Sequence, residues 1–134
     1  MDSEPAAPHQ IRATSPAVLI VDPDFMTRWK TADYLRERGY NIIEATGASD
    51  AMALLASGIH VDIVFFDLHS RDASGNRLLA EWLEEHHPRL SLLMTSKTAV
   101  EATMLAPGRT HRVIVEPYEI AQLAGHLESL LKRP

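Results

Sequence analysis

The chain has 134 residues, of which 46% are hydrophobic, enough for one domain with a substantial core. It contains no cysteine, which excludes disulfides and thiolate metal sites and fits a cytoplasmic protein. The 18 acidic residues against 13 Lys and Arg give a net charge of −5, which argues against nucleic acid as a direct partner. No apolar run approaches the ~20 residues of a membrane span and no signal-peptide core is visible, so a membrane is not an expected partner either.

The first elements follow a proline-containing segment. Residues 1–16 show little apolar periodicity and predict a flexible N-terminal tail, ahead of a domain over residues 17–134. "AVLIV" (residues 17–21) is continuous and apolar, as in a strand covered on both faces. Asp24 is expected to cap the next helix and Gly39 to end it. Apolar residues recur in that helix at helical spacing: Phe25, Trp29, Ala32 and Leu35.

The middle of the chain continues the alternation. "YNIIEA" (residues 40–45) predicts a second strand. The helix "SDAMALLASG" (residues 49–58) follows, with Ser49 as its expected cap and Gly58 as its end. "DIVFFDL" (residues 62–68) has the clearest pattern of a buried strand in the sequence.

The last third of the chain predicts two strands and two helices. A helix from about Gly75 to His87 is expected to bury Leu78, Leu79, Trp82 and Leu83. "LSLLMTS" (residues 90–96) and "HRVIVEP" (residues 111–117) predict the fourth and fifth strands. Between them Pro107-Gly108 limits any helix to about two turns. The final helix, residues 118–132, carries one apolar stripe: Ile120, Leu123, Leu127, Leu130 and Leu131.

Five strands alternating with helices predict an α/β domain of the doubly wound kind, with a parallel sheet between two layers of helices. Ligands bind such sheets beyond the carboxyl ends of the strands. Polar residues close four of the predicted strands there: Asp22, Asp67, Thr95 and Glu116. Converging carboxylates suit Mg²⁺, and a carboxylate beside such an ion can attack phosphorus to give an aspartyl phosphate.

These motifs together resemble the receiver (CheY-like) domains of bacterial two-component response regulators and hybrid histidine kinases. The likeness lies in "VLIVDPD", "DIVFFDLHSRDASG", "LLMTS" and "VEPYE" and covers Ala17 to Leu131. It implies a three-layer (βα)5 flavodoxin-like sandwich with strand order 2-1-3-4-5 and a fourth helix that is short or disordered. It also implies a cytoplasmic phosphorelay module that is not itself an enzyme, with a histidine kinase or another signalling protein as partner and a homodimer as an option.

The resemblance also implies roles for particular residues. Asp67 matches the phosphorylated aspartate, and Asp22 matches the first of two acids that hold Mg²⁺. His69 matches the position whose backbone carbonyl completes the metal site. Thr95 matches the switch hydroxyl that closes onto the phosphoryl group, and Gly75 matches the glycine that ends the loop.

Four positions depart from the family pattern. Pro23 stands at the second metal-binding acid and Glu116 at the lysine, while Val113 and Arg71 replace an aromatic residue and a proline. Pro23 removes one ligand, so Mg²⁺ is expected to bind weakly or not at all. Glu116 repels a phosphoryl group of about −1.5 to −2 charge, which disfavours a stable phosphorylated form. Three clustered carboxyls should also raise the pKa of at least one of them.

The leading interpretation is therefore a degenerate receiver domain that acts by protein–protein contact. The alternative is a functional phospho-receiver that accepts phosphate on Asp67 from a histidine kinase with Mg²⁺, with Arg71 or Lys97 replacing the lysine. A small flavodoxin-like cofactor binder is a remote alternative, since "DPDFMTR" lacks a phosphate-cradling loop of Gly, Ser and Thr. A transition-metal site of Asp22, His69 and Asp67 would need a spaced partner histidine, and none is evident.

Overall fold

A computed structural model describes residues 15–68, 73–97 and 111–132, with residues 73–75 described by their backbone alone. It contains these elements: β1 (Ala17–Val21), α1 (Phe25–Arg36), β2 (Asn41–Ala45), α2 (Ala48–Ala56), β3 (Ile63–Asp67), α3 (Ala73–His86), β4 (Ser91–Ser96), β5 (His111–Val115) and α4 (Ile120–Leu131). None of these helices combines the length and apolar character needed to cross a bilayer. Two predictions fall outside the described residues and stay predictions. They are the flexible tail, of which residues 1–14 are not described, and the short or disordered fourth helix, which would lie within residues 98–110.

The five strands form one parallel sheet of order β2-β1-β3-β4-β5. This order confirms the doubly wound topology that the resemblance implied. Because all strands run in the same direction, their carboxyl ends meet at one edge. Val21 lies beside Ala45 and Phe66, and Asp67 lies beside Thr95. The register therefore brings the predicted strand-end residues of β3 and β4 into direct contact.

Alternate residues of the strands enter two separate apolar cores, one on each face of the sheet. Leu19, Val64, Phe66, Leu92 and Met94 pack with residues of α2 and α3. On the other face, Val18, Ile20, Ile63, Phe65 and Leu93 pack with residues of α1 and α4. The central strands are buried on both faces, which explains their continuous apolar runs. The three-layer sandwich is confirmed.

Helix ends follow the predicted chemistry in α1 and only partly in α2. The Asp24 carboxylate accepts the Thr27 backbone N–H at 2.9 Å, which satisfies a donor of the first turn. Gly39 and Gly58 have φ of 92° and 91°, which glycine adopts without steric strain. The expectation that Ser49 caps α2 is wrong. The helix begins at Ala48, and the Asp50 carboxylate accepts the Thr46 N–H at 2.9 Å.

Several apolar residues that were expected in the core lie at the surface. Leu78 is 59% exposed, because it is a third of a turn away from Leu79, which faces the sheet. Trp29 is 47% exposed, because the buried stripe of α1 runs through Thr31, Ala32 and Leu35. Phe25, Ile120 and Leu131 also lie at the surface. Trp82 is partly buried against the core, as predicted.

Candidate functional site

Asp67 and Thr95 form the centre of the carboxyl edge. Asp67 is the last residue of β3, and Thr95 lies beside it on β4. The Thr95 hydroxyl donates to Asp67 Oδ1 at 2.9 Å, and the Leu68 backbone N–H donates to the Thr95 carbonyl at 2.9 Å. Thr95 is only 2% exposed, so its hydroxyl is held against the carboxylate. The structure thus joins the predicted phosphoacceptor and the predicted switch hydroxyl.

Asp22 directly follows β1 and is half-buried. Its backbone N–H donates to the Ala45 carbonyl at 3.0 Å, and its Oδ1 accepts the Asp24 N–H at 2.9 Å. Burial is the largest influence on its pKa, which is raised above the ordinary value of 3.8. The hydrogen bond from Asp24 and the charge of Arg28 lower this pKa, whereas the charges of Asp24 and Asp67 raise it. The charge of Asp67 thus raises the pKa of Asp22, as the clustering of carboxyls predicts, but burial contributes more and Glu116 is not among the causes.

Glu116 follows β5 and closes the same edge. Its backbone N–H donates to the Ser96 carbonyl at 2.8 Å, and its peptide bond to Pro117 is cis. Glu116 shares a cleft of about 100 Å³ with the other predicted acids. The polar residues that line this cleft are Asp22, Thr27, Thr31, Asp67, Thr95, Glu116 and Tyr118. Among the described residues that line this cleft there is no lysine or arginine, so its described lining is acidic.

Of the two cations proposed to replace the family lysine, the structure describes only Lys97. Lys97 follows β4 and lies in an adjoining shallow depression of about 590 Å³ with Glu116, Pro117 and Tyr118. It does not line the cleft around Asp67. His69 and Arg71 lie outside the described residues, so their predicted roles stay predictions.

The structure adds residues that the sequence analysis did not select. Tyr118 lines the cleft, and its pKa is raised by burial and then by the charges of Glu116, Asp67 and Asp22. Its position two residues after Glu116, just beyond the end of β5, could have marked Tyr118 as a site candidate from the sequence. Thr27 and Thr31 line the cleft from α1, four residues apart on one helical face. That spacing becomes informative only once the neighbouring strand is known.

Two further contacts support the backbone of the site. Arg28 Nη1 donates to the Asp22 carbonyl at 2.7 Å, and its Nε lies 3.0 Å from Glu44 Oε1. The buried Asn76 donates from Nδ2 to the Asp67 carbonyl at 2.6 Å. Sequence patterns gave no signal for either residue, since a polar residue within a helix is ordinarily on the solvent side.

The donor set fits a magnesium ion held by two carboxylates. Mg²⁺ binds one or two carboxylates and keeps several waters, and Asp22 and Asp67 face one cleft. The Asp24 carboxylate instead accepts the backbone N–H and the hydroxyl of Thr27. Pro23 has no ligand atom in its side chain. Among the residues that the structure describes, no three acidic or histidine side chains are grouped to hold a metal.

The strand order and the acidic cleft at the carboxyl edge are those of a doubly wound, flavodoxin-like domain, and comparisons with known proteins show the same fold. No family model matches the chain. The probable transcriptional regulatory protein TcrX of Mycobacterium tuberculosis is 32% identical over 119 residues, which cover 87% of this chain. The match spans 50% of the length of that curated relative.

Solved structures match most of the chain. A response regulator receiver protein of Sinorhizobium medicae superposes with a TM-score of 0.76 at 18% identity, covering 90% of this chain and 97% of that one. The response regulator TrrA of Thermotoga maritima, solved in complex with Mg²⁺-BeF, gives a TM-score of 0.72 at 20% identity, covering 86% and 98%. The chain therefore has the fold of receiver domains, as the resemblance found in the sequence implied.

Proposed function

We propose that this chain is a two-component receiver domain with a degenerate phosphorylation site, and that it signals by protein–protein contact. One observation carries the proposal: Glu116 lines the same small cleft as Asp22 and Asp67, where the family has a lysine. Asp67 keeps the phosphoacceptor position and Thr95 the position of the switch hydroxyl. The backbone of a receiver site is retained, while its charge is reversed at one point.

The charge of Glu116 acts against a phosphoryl group on Asp67, because both residues line one cleft. Two unit charges 4 Å apart interact by about 4 kcal/mol at an effective dielectric of about 20. A lysine at this position would attract the phosphoryl group by a term of that order, and a glutamate repels it. Solvent in the open cleft reduces both terms. The difference still disfavours a long-lived phosphorylated form of Asp67.

The metal site is weakened independently. Asp22 and Asp67 would hold Mg²⁺, which would supply charge neutralisation for an incoming phosphoryl group. With two carboxylate ligands, Mg²⁺ is expected to bind in the millimolar range, equivalent to roughly 4 kcal/mol or less. Ionisation of Asp22 is a precondition for this binding, and its raised pKa opposes it at acidic pH.

A functional phospho-receiver is the second candidate. The hydrogen bond from the Thr95 hydroxyl to Asp67 supports it, since it puts a hydroxyl donor next to the carboxylate that would carry the phosphoryl group. Lys97 would supply the cation only by moving from the depression beside Glu116 toward Asp67. Its side chain is exposed and long, so such a movement is sterically open.

The partner is proposed to be a histidine kinase or another signalling protein in the cytoplasm, with contacts made through β5 and α4. The domain has no enzymatic role in this proposal, and self-association is an option that these surfaces leave open. The transcriptional role of TcrX is not part of this proposal, because the chain spans half of that protein and its net charge of −5 disfavours nucleic acid.

The proposal is tested by intact mass spectrometry after incubation with acetyl phosphate and Mg²⁺. We expect little or no phosphorylated protein, with Asp67→Asn as the matched control for modification elsewhere. A stoichiometric phosphoryl adduct that is stable for minutes and absent from Asp67→Asn would overturn the proposal of a degenerate site. It would show that the domain is a functional phospho-receiver.

A further inference from the structure

Arg28 is a charged residue on the inner side of α1 with a side chain that is only 11% exposed. Its two polar contacts are to the Asp22 carbonyl at 2.7 Å and to Glu44 Oε1 at 3.0 Å. The Phe25 ring centroid lies 5.6 Å from the guanidinium carbon. A guanidinium that leaves water is stable only where such partners replace its hydration.

These contacts connect the ends of two neighbouring strands. Asp22 is the first residue after β1, and Glu44 is the penultimate residue of β2. The planar guanidinium donates to two acceptors in fixed directions, which a lysine ammonium does not do. The Glu44 carboxylate has a second partner, since Arg36 Nη1 lies 3.2 Å from its Oε2. Arg36 does not contact Asp22, so the chain contains a natural control for the Glu44 ion pair.

The Asp22 carbonyl lies at the base of the turn that directs the Asp22 carboxylate into the cleft. The following residue, Pro23, has no backbone N–H and contributes no hydrogen bond from it. The next amide, of Asp24, donates to Asp22 Oδ1 at 2.9 Å. The side-chain bond from Arg28 to the Asp22 carbonyl therefore anchors the start of a turn in which one backbone donor is missing.

We infer that Arg28 is a positioning residue: it holds the Asp22–Pro23–Asp24 turn through the Asp22 carbonyl and thereby places the Asp22 carboxylate as a cation ligand. The inference rests on the proposed function, in which Asp22 and Asp67 hold the ion. The proposed function is thereby extended to Arg28, which would not touch the cation and would act on it only through Asp22. Pro23 stands where the family has a second acid. The geometry of the turn that contains it depends on Arg28.

Three variants test the inference in the full-length chain. Arg28→Met removes both contacts to Asp22 and Glu44, and Arg28→Lys keeps the charge but serves one acceptor. Arg36→Met removes the second partner of Glu44 and the hydrogen bond from Arg36 Nη2 to the Ile42 carbonyl at 3.1 Å, but no contact to Asp22. Both Met variants should lower the unfolding midpoint, so stability does not distinguish them. Two measurements at the site do: the hydrogen-exchange rate of the Asp24 amide, and the affinity for Mn²⁺ measured by paramagnetic broadening of NMR signals.

Arg28→Met should speed exchange of the Asp24 amide and weaken Mn²⁺ binding, each by about tenfold, as loss of an outer-shell partner does at metal sites. Arg36→Met should change both by less than about twofold, and Arg28→Lys should be intermediate. Equal changes in the two Met variants would overturn the inference, because Arg28 would then act only on stability.

Failure of the proposed function is recognised separately. Phosphorylation of Asp67 tests the proposed function, and neither of the two measurements on the Arg28 variants depends on it. If the unsubstituted protein binds no Mn²⁺, a bound cation is no longer part of the proposed function. Faster exchange at Asp24 in Arg28→Met alone would still support a positioning role, and unchanged exchange in that variant would overturn it.

Discussion

At the scale of single residues, we expect the charge at position 116 to limit phosphorylation of Asp67 more than the missing metal ligand at position 23. Glu116→Lys replaces a repulsion in the cleft by an attraction toward the phosphoryl group, whereas Pro23→Asp supplies one Mg²⁺ ligand that water can replace. We expect Glu116→Lys alone to recover more phosphorylation of Asp67 than Pro23→Asp alone. The measurement is the phosphorylated fraction by intact mass at several times after addition of acetyl phosphate.

The control for this prediction is a charge reversal outside the cleft. Glu84→Lys makes the same change of net charge on the exposed side of α3 and should leave the phosphorylated fraction unchanged. A gain in Glu84→Lys equal to that in Glu116→Lys would show a nonspecific charge effect. A larger gain in Pro23→Asp would show that the metal ligand, rather than the charge at position 116, limits the reaction.

The second residue-scale prediction concerns Asp22. Its pKa is raised in the folded protein, mainly by burial, so the folded state binds the proton more tightly than the unfolded chain. The ionised carboxylate therefore lowers the free energy of unfolding at neutral pH, and this cost is lost as pH falls through the folded-state pKa toward 3.8. Asp22→Asn, which can still accept the Asp24 N–H, should stabilise the protein at pH 7 by at most about 1 kcal/mol, because Asp22 is half-exposed.

Urea unfolding with EDTA present checks this prediction at neutral pH and again below the ordinary pKa of aspartate. The gain from Asp22→Asn should vanish at the lower pH, where both states of the parent protein are protonated. An equal gain at both pH values would assign the effect to packing, and a loss at pH 7 would show that the charge of Asp22 is stabilising.

At the scale of elements, α3 shows how far periodicity predicts burial. The pattern marked Leu78 and Leu79 alike, but only Leu79 is buried, at 0% exposure against 59% for Leu78. Leu79→Ala should lower the free energy of unfolding by about 2–5 kcal/mol. Leu78→Ala is the matched control and should change it by less than about 0.5 kcal/mol. Similar losses in urea unfolding would mean that Leu78 is covered in solution.

The helix ends show which local signals are sufficient. Asp24 and Gly58 were predicted correctly because a side-chain cap and a glycine with positive φ act within one turn of chain. Ser49 was predicted wrongly because the helix begins one residue earlier, with Gly47 as an N-cap that has no side-chain hydrogen bond. The Asp50 carboxylate accepts the amide of Thr46, ahead of the helix, and this contact across the turn is not contained in the local pattern of capping residues.

At the scale of the whole molecule, the sheet was predictable in part from pattern and in part from resemblance. Continuous apolar runs of about five residues, alternating with helices, predict a parallel sheet. The order of its strands came from the family motifs, since apolar patterning does not distinguish one neighbour from another. The acidic edge followed from strand ends alone. Arg28 and Asn76 did not, because their partners are backbone carbonyls of Asp22 and Asp67 on other elements.

The last prediction concerns transmission from the cleft to the rest of the domain. Pro23→Asp with Glu116→Lys should restore binding of Mg²⁺ and of the phosphoryl analogue BeF3⁻ at Asp67, non-additively, because both act within one small cleft. Resonance changes on binding should stay near Asp67 and Thr95. The family residue that responds to Thr95 is aromatic, and here Val113 packs partly buried against the apolar core.

Adding Val113→Tyr to the double variant should extend the resonance changes into β5 and α4, because a larger side chain on β5, beside Met94 and one register position from Thr95, provides an element with two arrangements. The measurement is a ¹H–¹⁵N correlation spectrum of each variant with and without BeF3⁻. Asp67→Asn in the triple variant is the control and should abolish every change. Extended changes already present in the double variant would show that Val113 transmits the signal itself, and that only the chemistry of the cleft separates this domain from a switching receiver.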